Sequence, residues 1–358
     1  MTTTAKTDEL KRGDLSRDSL PDRIADVPML EELMTRPTPA LREDLAALEG
    51  GILVLGASGK MGPTLCRLAK RAAPDKRILA VARFSDPAAR DSLEQAGIET
   101  LACDVLDRDG LAALPDLPNV IYMAGRKFGS SGSESLTWAM NALAPALVAE
   151  RFAAARIAAL STGCVYPFVD PKEGGCNEDV PPMPPPGDYA WSCLGRERMF
   201  EYGSAQHGTV GRLIRLNYAI DMRYGVLHDV GSLVLAGEAV DVTMGHANVI
   251  WQGDANSQIL RSLLQVTGPT SPLNVTGRET LSIRELAKAF ADRFDTEAKI
   301  AGQEAESAWL NDASQAAALF GDPIVPLERM IDWQADWLKR RQASLGKPTG
   351  FQVRDGKF

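Results

Sequence analysis

Four consecutive apolar residues, Ile52-Leu53-Val54-Leu55, interrupt a largely polar N-terminal stretch and run straight into a glycine loop. Short runs rich in apolar residues recur at 78–82, 100–103, 119–123, 157–161, 210–216 and 273–275. Runs of this length, bounded by turn residues and not alternating with polar ones, fit strands covered on both faces. Apolar positions return at helical spacing over 61–73, 136–154 and 189–202, then over 283–294, 314–320 and 327–338. Strands alternating with such helices predict an α/β chain: a Rossmann doubly wound parallel sheet, with a smaller C-terminal α/β substrate domain.

Residues 1–50 form an N-terminal extension with short amphipathic pieces at 27–34 and 41–48, around Arg36-Pro37-Thr38-Pro39. The extension is expected to be a surface arm packed on its own domain or on a neighbouring subunit, with a lid as the second reading. The dinucleotide-binding core is expected over 51–216. The substrate-binding domain follows over 217–345, with strands returning to the core, and 346–358 is a tail. The stretch 167–187, which contains Pro181-Pro182-Met183-Pro184-Pro185-Pro186, predicts a long loop. It and 218–244 are the expected specificity loops, and neither carries a legible code for a substrate.

Composition narrows the function classes. Among 358 residues, 47 are acidic and 39 basic, a net charge of −8, which argues against a nucleic-acid partner. The five cysteines, Cys66, Cys103, Cys164, Cys176 and Cys193, include no CxxC pair, and the three histidines are scattered. A disulfide framework and a metal centre are both disfavoured. No apolar run would span a bilayer, so cytoplasm is the expected compartment.

The chemistry concentrates in the loop Gly56-Ala57-Ser58-Gly59-Lys60-Met61-Gly62. In a strand–loop–helix setting, Gly56 permits the tight turn, Gly59 admits a pyrophosphate and Gly62 lets helix and sheet pack closely. Ser58, Lys60 and Met61 complete the cradle, and the helix start offers free N–H groups to phosphate. The second strand ends Ala82-Arg83-Phe84-Ser85, with no acid to take a ribose 2′-hydroxyl. Arg83 and Ser85 suit a 2′-phosphate, favouring NADP over NAD. The alternative is an Arg83 that only stacks on adenine.

Several further motifs, in order, make the stretch from about 51 to 338 resemble the extended short-chain dehydrogenase/reductase family, the epimerase/dehydratase group. Cys103-Asp104-Val105 is similar to its adenine-contacting pair. Tyr122-Met123-Ala124-Gly125 is similar to its fourth-strand signature, Asn141 to its helical asparagine, and Ser161-Thr162-Gly163-Cys164-Val165-Tyr166-Pro167 to its Ser-Ser-Ser strand. The resemblance implies that Asp104, Val105, Ala124, Gly125 and Asn141 serve the cofactor. It also implies that Thr162 orients a reacting oxygen and that Tyr189 exchanges a proton with it.

The family's lysine, four residues after that tyrosine, is absent; Cys193 stands there. A cation one turn away would favour the tyrosinate, and a thiol does not supply one. Four readings of Cys193 stay open: a natural variant served by other cations, a chain that has lost redox turnover, an engineered substitution, or a working thiol. Lys127 reads either as a solvated loop lysine or as a replacement cation or anion-steering residue. Arg196 is expected on the surface, paired with Glu197 or Glu201. Cys164, where dehydratases carry an acid, is expected to face the substrate, and Asn217 to hold it.

These features imply an NAD(P)-dependent oxidoreductase or epimerase acting on a sugar, sugar acid or sugar nucleotide. A cofactor-binding sensor or scaffold without turnover is the alternative. A homodimer through helices 136–154 and 189–202 is expected.

Overall fold

The computed structural model describes residues 13–127 and 132–355. Seven parallel strands form the central sheet: β1 (Ile52–Leu55), β2 (Ile78–Ala82), β3 (Glu99–Ala102), β4 (Asn119–Tyr122), β5 (Arg156–Thr162), β6 (Gly211–Leu216) and β7 (Ser271–Val275). Their order is β3-β2-β1-β4-β5-β6-β7. Ile52 lies in register with Ile78 on one side and Asn119 on the other, so the strand order reverses at β1. In open sheets the crevice beyond such a reversal is the ligand site.

Alternation explains why the central strands β1, β2 and β4 are almost wholly apolar. Ile52, Val54, Ile78, Ala80 and Ile121 enter one core, while Leu53, Leu55, Leu79, Val81 and Val120 enter the other. Helices cover both faces, so successive side chains are buried whichever way they point.

The N-terminal segment is more than a surface arm. Leu15, Ile24, Leu30, Leu33 and Met34 join the core of the C-terminal domain, and Leu41, Leu45 and Leu48 join a sheet core. Its helices Val27–Met34 and Pro39–Ala47 are capped by Asp26 and Thr38, whose side chains accept from Met29 and Leu41 N–H groups. Glu31 pairs with Arg67 at 2.9 Å and with Arg223 at 3.1 Å. One carboxylate therefore links the glycine-loop helix Gly62–Ala72 to the C-terminal domain.

Three other expectations change. The stretch 218–244 is not a simple loop, because it contains the buried helix Val226–Ala236. The helical stretch at 136–154 is split into Glu134–Trp138, a π turn at Ala139–Leu143, and Ala144–Arg151. The tail turns back on the domain: the Thr349 N–H and hydroxyl donate to Asp229 at 2.8 and 2.6 Å, and Phe351 is buried. Helix Gln252–Arg261 was not predicted. It is buried from Gln252 to Leu260 although its sequence is polar. Thr64 Oγ1 accepts from Gln252 and Asn256 at 3.1 and 3.0 Å, and Asp254 accepts from the Val325 N–H. No helix among the described residues is long and apolar enough to cross a membrane.

Candidate active site

The glycine loop occupies the crevice at the end of β1. Gly56 has φ +87°, and a Cβ there would lie 2.5 Å from the Ala124 nitrogen. A Cβ on Gly62 would fall 2.3 Å from the Ala57 carbonyl oxygen. Both positions exclude any side chain. Gly59 is different: the nearest atom to its Cβ would be the Gly56 oxygen at 3.3 Å, so its missing side chain leaves the loop face open. That open backbone, ahead of a helix N-terminus, fits a dinucleotide pyrophosphate. Ser58 is exposed on this loop and Met61 is half-buried.

Lys60 leans from the loop toward the C-terminal domain. The residue as a whole is exposed, while its ammonium donates to the Ala219 carbonyl at 3.2 Å and sits 3.8 Å over the Tyr224 ring. Burial of that ammonium pulls its pKa down to about 7; Asp221 opposes this, and Arg223 and Lys127 add to it.

At the other end of the crevice, Arg83 and Ser85 are exposed beyond β2, flanking Phe84, whose φ is +48°. Val105 is buried after β3, and the Asp104 carboxylate accepts from the Leu106 N–H at 3.0 Å.

The end of β4 is held by Asn141. Its side-chain oxygen accepts from the Arg126 N–H at 2.8 Å, and its amide donates to the Arg126 carbonyl at 2.9 Å and to Ser192 Oγ at 3.0 Å. Asn141 lies within the π turn and is fully buried. Ala124 and Gly125 thereby form a fixed floor.

Tyr189 opens the helix Asp188–His207, and Thr162 ends β5. Thr162 is close enough to the Tyr189 phenol to act on its titration. Burial, then the Cys193 and Cys164 thiols, push the Tyr189 phenol well above its ordinary value, while Arg196 and Thr162 pull it down. Thr162 Oγ1 also accepts from the Cys164 N–H at 3.2 Å. Cys193 is buried against Val165, Leu194 and Tyr189, and burial raises its thiol to about 11. It is a protonated thiol at neutral pH, a poor nucleophile. All five cysteines are free.

Two cations accompany Tyr189. The Lys127 ammonium lies 5.9 Å from the ring centroid and donates to the Thr349 carbonyl at 3.0 Å. Arg196 is not on the surface as expected: it is 7% exposed, and it donates to the Leu160 carbonyl at 2.7 Å and to Asn141 Oδ1 at 2.8 Å. Glu197 turns to Arg215 instead, at 2.8 Å. In sequence, the only sign of Arg196's position was its spacing of seven from Tyr189, two helical turns.

Asn217 is buried at the end of β6. Its amide is directed at the Trp309 carbonyl and Asn311 Oδ1, both at 3.4 Å, so it braces the segment 309–311. Trp251 is core, edge-on to Trp333 with centroids 5.5 Å apart. Among the described residues no group of three metal-ligating side chains gathers.

Residues 52–219 match the family described as NAD dependent epimerase/dehydratase, the one the motifs resemble. No curated protein matches the chain by sequence. Among solved structures, it is similar to the UDP-glucuronic acid 4-epimerase of Bacillus cereus in complex with NAD. That likeness has TM-score 0.66 at 17% identity, covering 81% of this chain and 99% of that one. A dTDP-glucose 4,6-dehydratase from Bacillus anthracis in complex with NAD gives TM-score 0.69 at 13% identity, over 82% and 97% of the two chains. A UDP-glucose 4-epimerase from Thermotoga maritima with UDP-glucose gives 0.66 at 16% identity, over 81% and 99%. These likenesses establish the shared fold.

Proposed function

We propose that this chain is an NAD(P)-dependent oxidoreductase or epimerase acting on a hydroxyl or keto group of a sugar, sugar acid or sugar nucleotide. The observation that carries it is Tyr189 with Thr162 beside its phenol, near the segment Ala124-Gly125 and the open glycine loop. Bound nicotinamide would supply the hydride acceptor or donor. Gly56, Ser58, Gly59, Lys60, Met61 and Gly62 would hold the pyrophosphate, Asp104 and Val105 the adenine end, and Ala124, Gly125 and Asn141 the nicotinamide end. Exposed Arg83 and Ser85 favour a 2′-phosphate, hence NADP, although two of the similar structures named above were solved with NAD.

Thr162 orients the reacting oxygen, and Tyr189 holds or moves a proton at its phenol oxygen. At neutral pH burial keeps that phenol protonated, so donation to a keto oxygen is the easier direction. Lys127 and Cys164 line the substrate side, and Asn217 contributes from behind through 309–311. Gly163 and Cys164 follow Thr162 where an eliminating enzyme would need acids, so 4,6-dehydration ranks low. Exposed Leu136, Trp138, Leu143, Trp191 and Tyr202 lie on the two helical stretches 134–151 and 188–207 and support a homodimer through them. The free thiols agree with a cytoplasmic setting.

The protonated Cys193 favours a second reading, a cofactor-binding sensor without turnover. Hydride exchange measured over a panel of sugar nucleotides and sugar acids separates the two. Activity lost in Tyr189→Phe supports the enzyme. Tight cofactor binding without exchange on any substrate supports the sensor.

A further inference from the structure

We infer that Arg196 supplies, from farther along the same helix face, the fixed positive charge that position 193 lacks, and that Cys193 is small so that this guanidinium fits beneath Gly125. The inference rests on the reading of Tyr189 as the proton-exchanging residue.

The geometry supports it in three ways. At 100° per residue, position 196 lies within about 20° of position 189 around the helix, better aligned than 193 at about 40°. Side chains lean toward a helix N-terminus, so Arg196 reaches back toward Tyr189. The guanidinium also fills the floor of the site. A Cβ on Gly125 would lie 2.3 Å from Arg196 Nη2, and the Arg196 Cζ is 5.7 Å from the Tyr122 ring centroid.

The guanidinium also makes no direct ion pair among the described residues, and Glu197 acts on it only through space. The Arg196 Nη1 and Nη2 donors go to a carbonyl and an amide oxygen, and its Nε has no hydrogen-bond partner. The adjacent acid, Glu197, is taken up by Arg215 and by Ser161 Oγ at 2.5 Å. Burying a cation without a carboxylate is costly, and a place beside an ionisable phenol gives that cost a use. Arginine does not lose its proton in proteins, so this charge is present at every working pH. The direction of its effect agrees: Arg196 lowers the pKa of both Tyr189 and Cys193, while the Cys164 and Cys193 thiols raise that of Tyr189, Thr162 lowers it, and the Lys127 ammonium lies 5.9 Å from the Tyr189 ring. Arg196 is thus a positioning residue that acts through Tyr189.

The test uses the full chain with 13C-labelled tyrosine, the Tyr189 resonance being assigned by its loss in Tyr189→Phe. The pH at which that resonance begins to move is read with and without NAD. In Arg196→Met the onset should rise by about one pH unit relative to the wild type, the size of a lost neighbouring charge. Arg196→Lys should stay near the wild-type onset. The inference is overturned if Arg196→Met has the same or a lower onset than the wild type, read up to the pH at which the fold is lost. If Arg196→Met does not fold, Arg196→Lys and the double variant Cys193→Lys, Arg196→Ser decide it. Wild-type onsets in both support the inference, and onsets raised by about one unit overturn it. Failure of NAD to bind any of these proteins would count against the cofactor reading alone, because the titration is read without NAD as well.

Discussion

The carboxylate of Glu197 grips the guanidinium of Arg215 through two hydrogen bonds, 3.1 and 2.8 Å long, with both side chains buried. The pair ties the helix carrying Tyr189 and Arg196 to β6. Arg215 passes the restraint on to the Tyr166 hydroxyl at 2.7 Å, which donates to Asn274 in β7 at 3.0 Å. Removing one partner of a buried pair strands the other. Glu197→Gln should therefore lower the unfolding free energy in urea by about 3–5 kcal/mol. A loss below about 1 kcal/mol would mean the pair is replaceable by neutral hydrogen bonds.

Two glycines in one loop should respond differently. Gly62→Ala drives a methyl to 2.3 Å from a backbone oxygen and should destabilise the fold, with a lower melting temperature. Gly59→Ala meets only a 3.3 Å contact and should leave the melting temperature nearly unchanged. Its methyl would narrow the open loop face and weaken NAD(P) binding by roughly tenfold or more, since the pyrophosphate needs close backbone approach. Calorimetric titration of both variants checks this. An unchanged dissociation constant in a folded Gly59→Ala protein would take the pyrophosphate away from the loop.

Cofactor affinity should depend on pH through Lys60. With its free pKa near 7, this ammonium is partly deprotonated at neutral pH, and a pyrophosphate beside it would raise the value. Binding then takes up a proton, so affinity is highest below pH 7 and falls as pH rises, by at most about tenfold per unit. Dissociation constants measured from pH 6 to 9 should show this slope in the wild type and lose it in Lys60→Met. A flat wild-type profile would exclude the contact.

If the two exposed helices form a dimer, a charge at Trp191 should break it. Trp191 is 44% exposed, near the start of the helix Asp188–His207. Trp191→Glu should convert the dimer to monomer in light scattering behind size exclusion, with the melting temperature of the monomeric fold retained. A wild-type monomer at micromolar concentration would dispose of this interface.

The sheet was legible because its central strands are short, apolar and buried on both faces; Ile52–Leu55 and Ile78–Ala82 have the expected bounds. The helix Gln252–Arg261 was not, because its polar side chains are buried by pairing with Thr64 and Val325, partners distant in sequence. Arg196 was hidden for a related reason. A charge in a helix with several other charges reads as solvated, and only the tertiary placement of Asn141 and Leu160 reveals the acceptors that draw it inward. Helix Val226–Ala236 was lost inside a stretch read as a loop, although its Val226, Leu227, Val230 and Val234 are buried.

The paired role of Glu31, with one oxygen on Arg67 and the other on Arg223, bears on how a sugar would get in. The N-terminal helices thread apolar side chains into the cores of both halves, so wide jaw-like opening would have to tear out Leu30, Leu33 and Met34 together. Entry and exit of any substrate would then be left to smaller movements, such as at the contact between Lys127 and Thr349, and turnover would be gated by local breathing there rather than by a swing of whole domains.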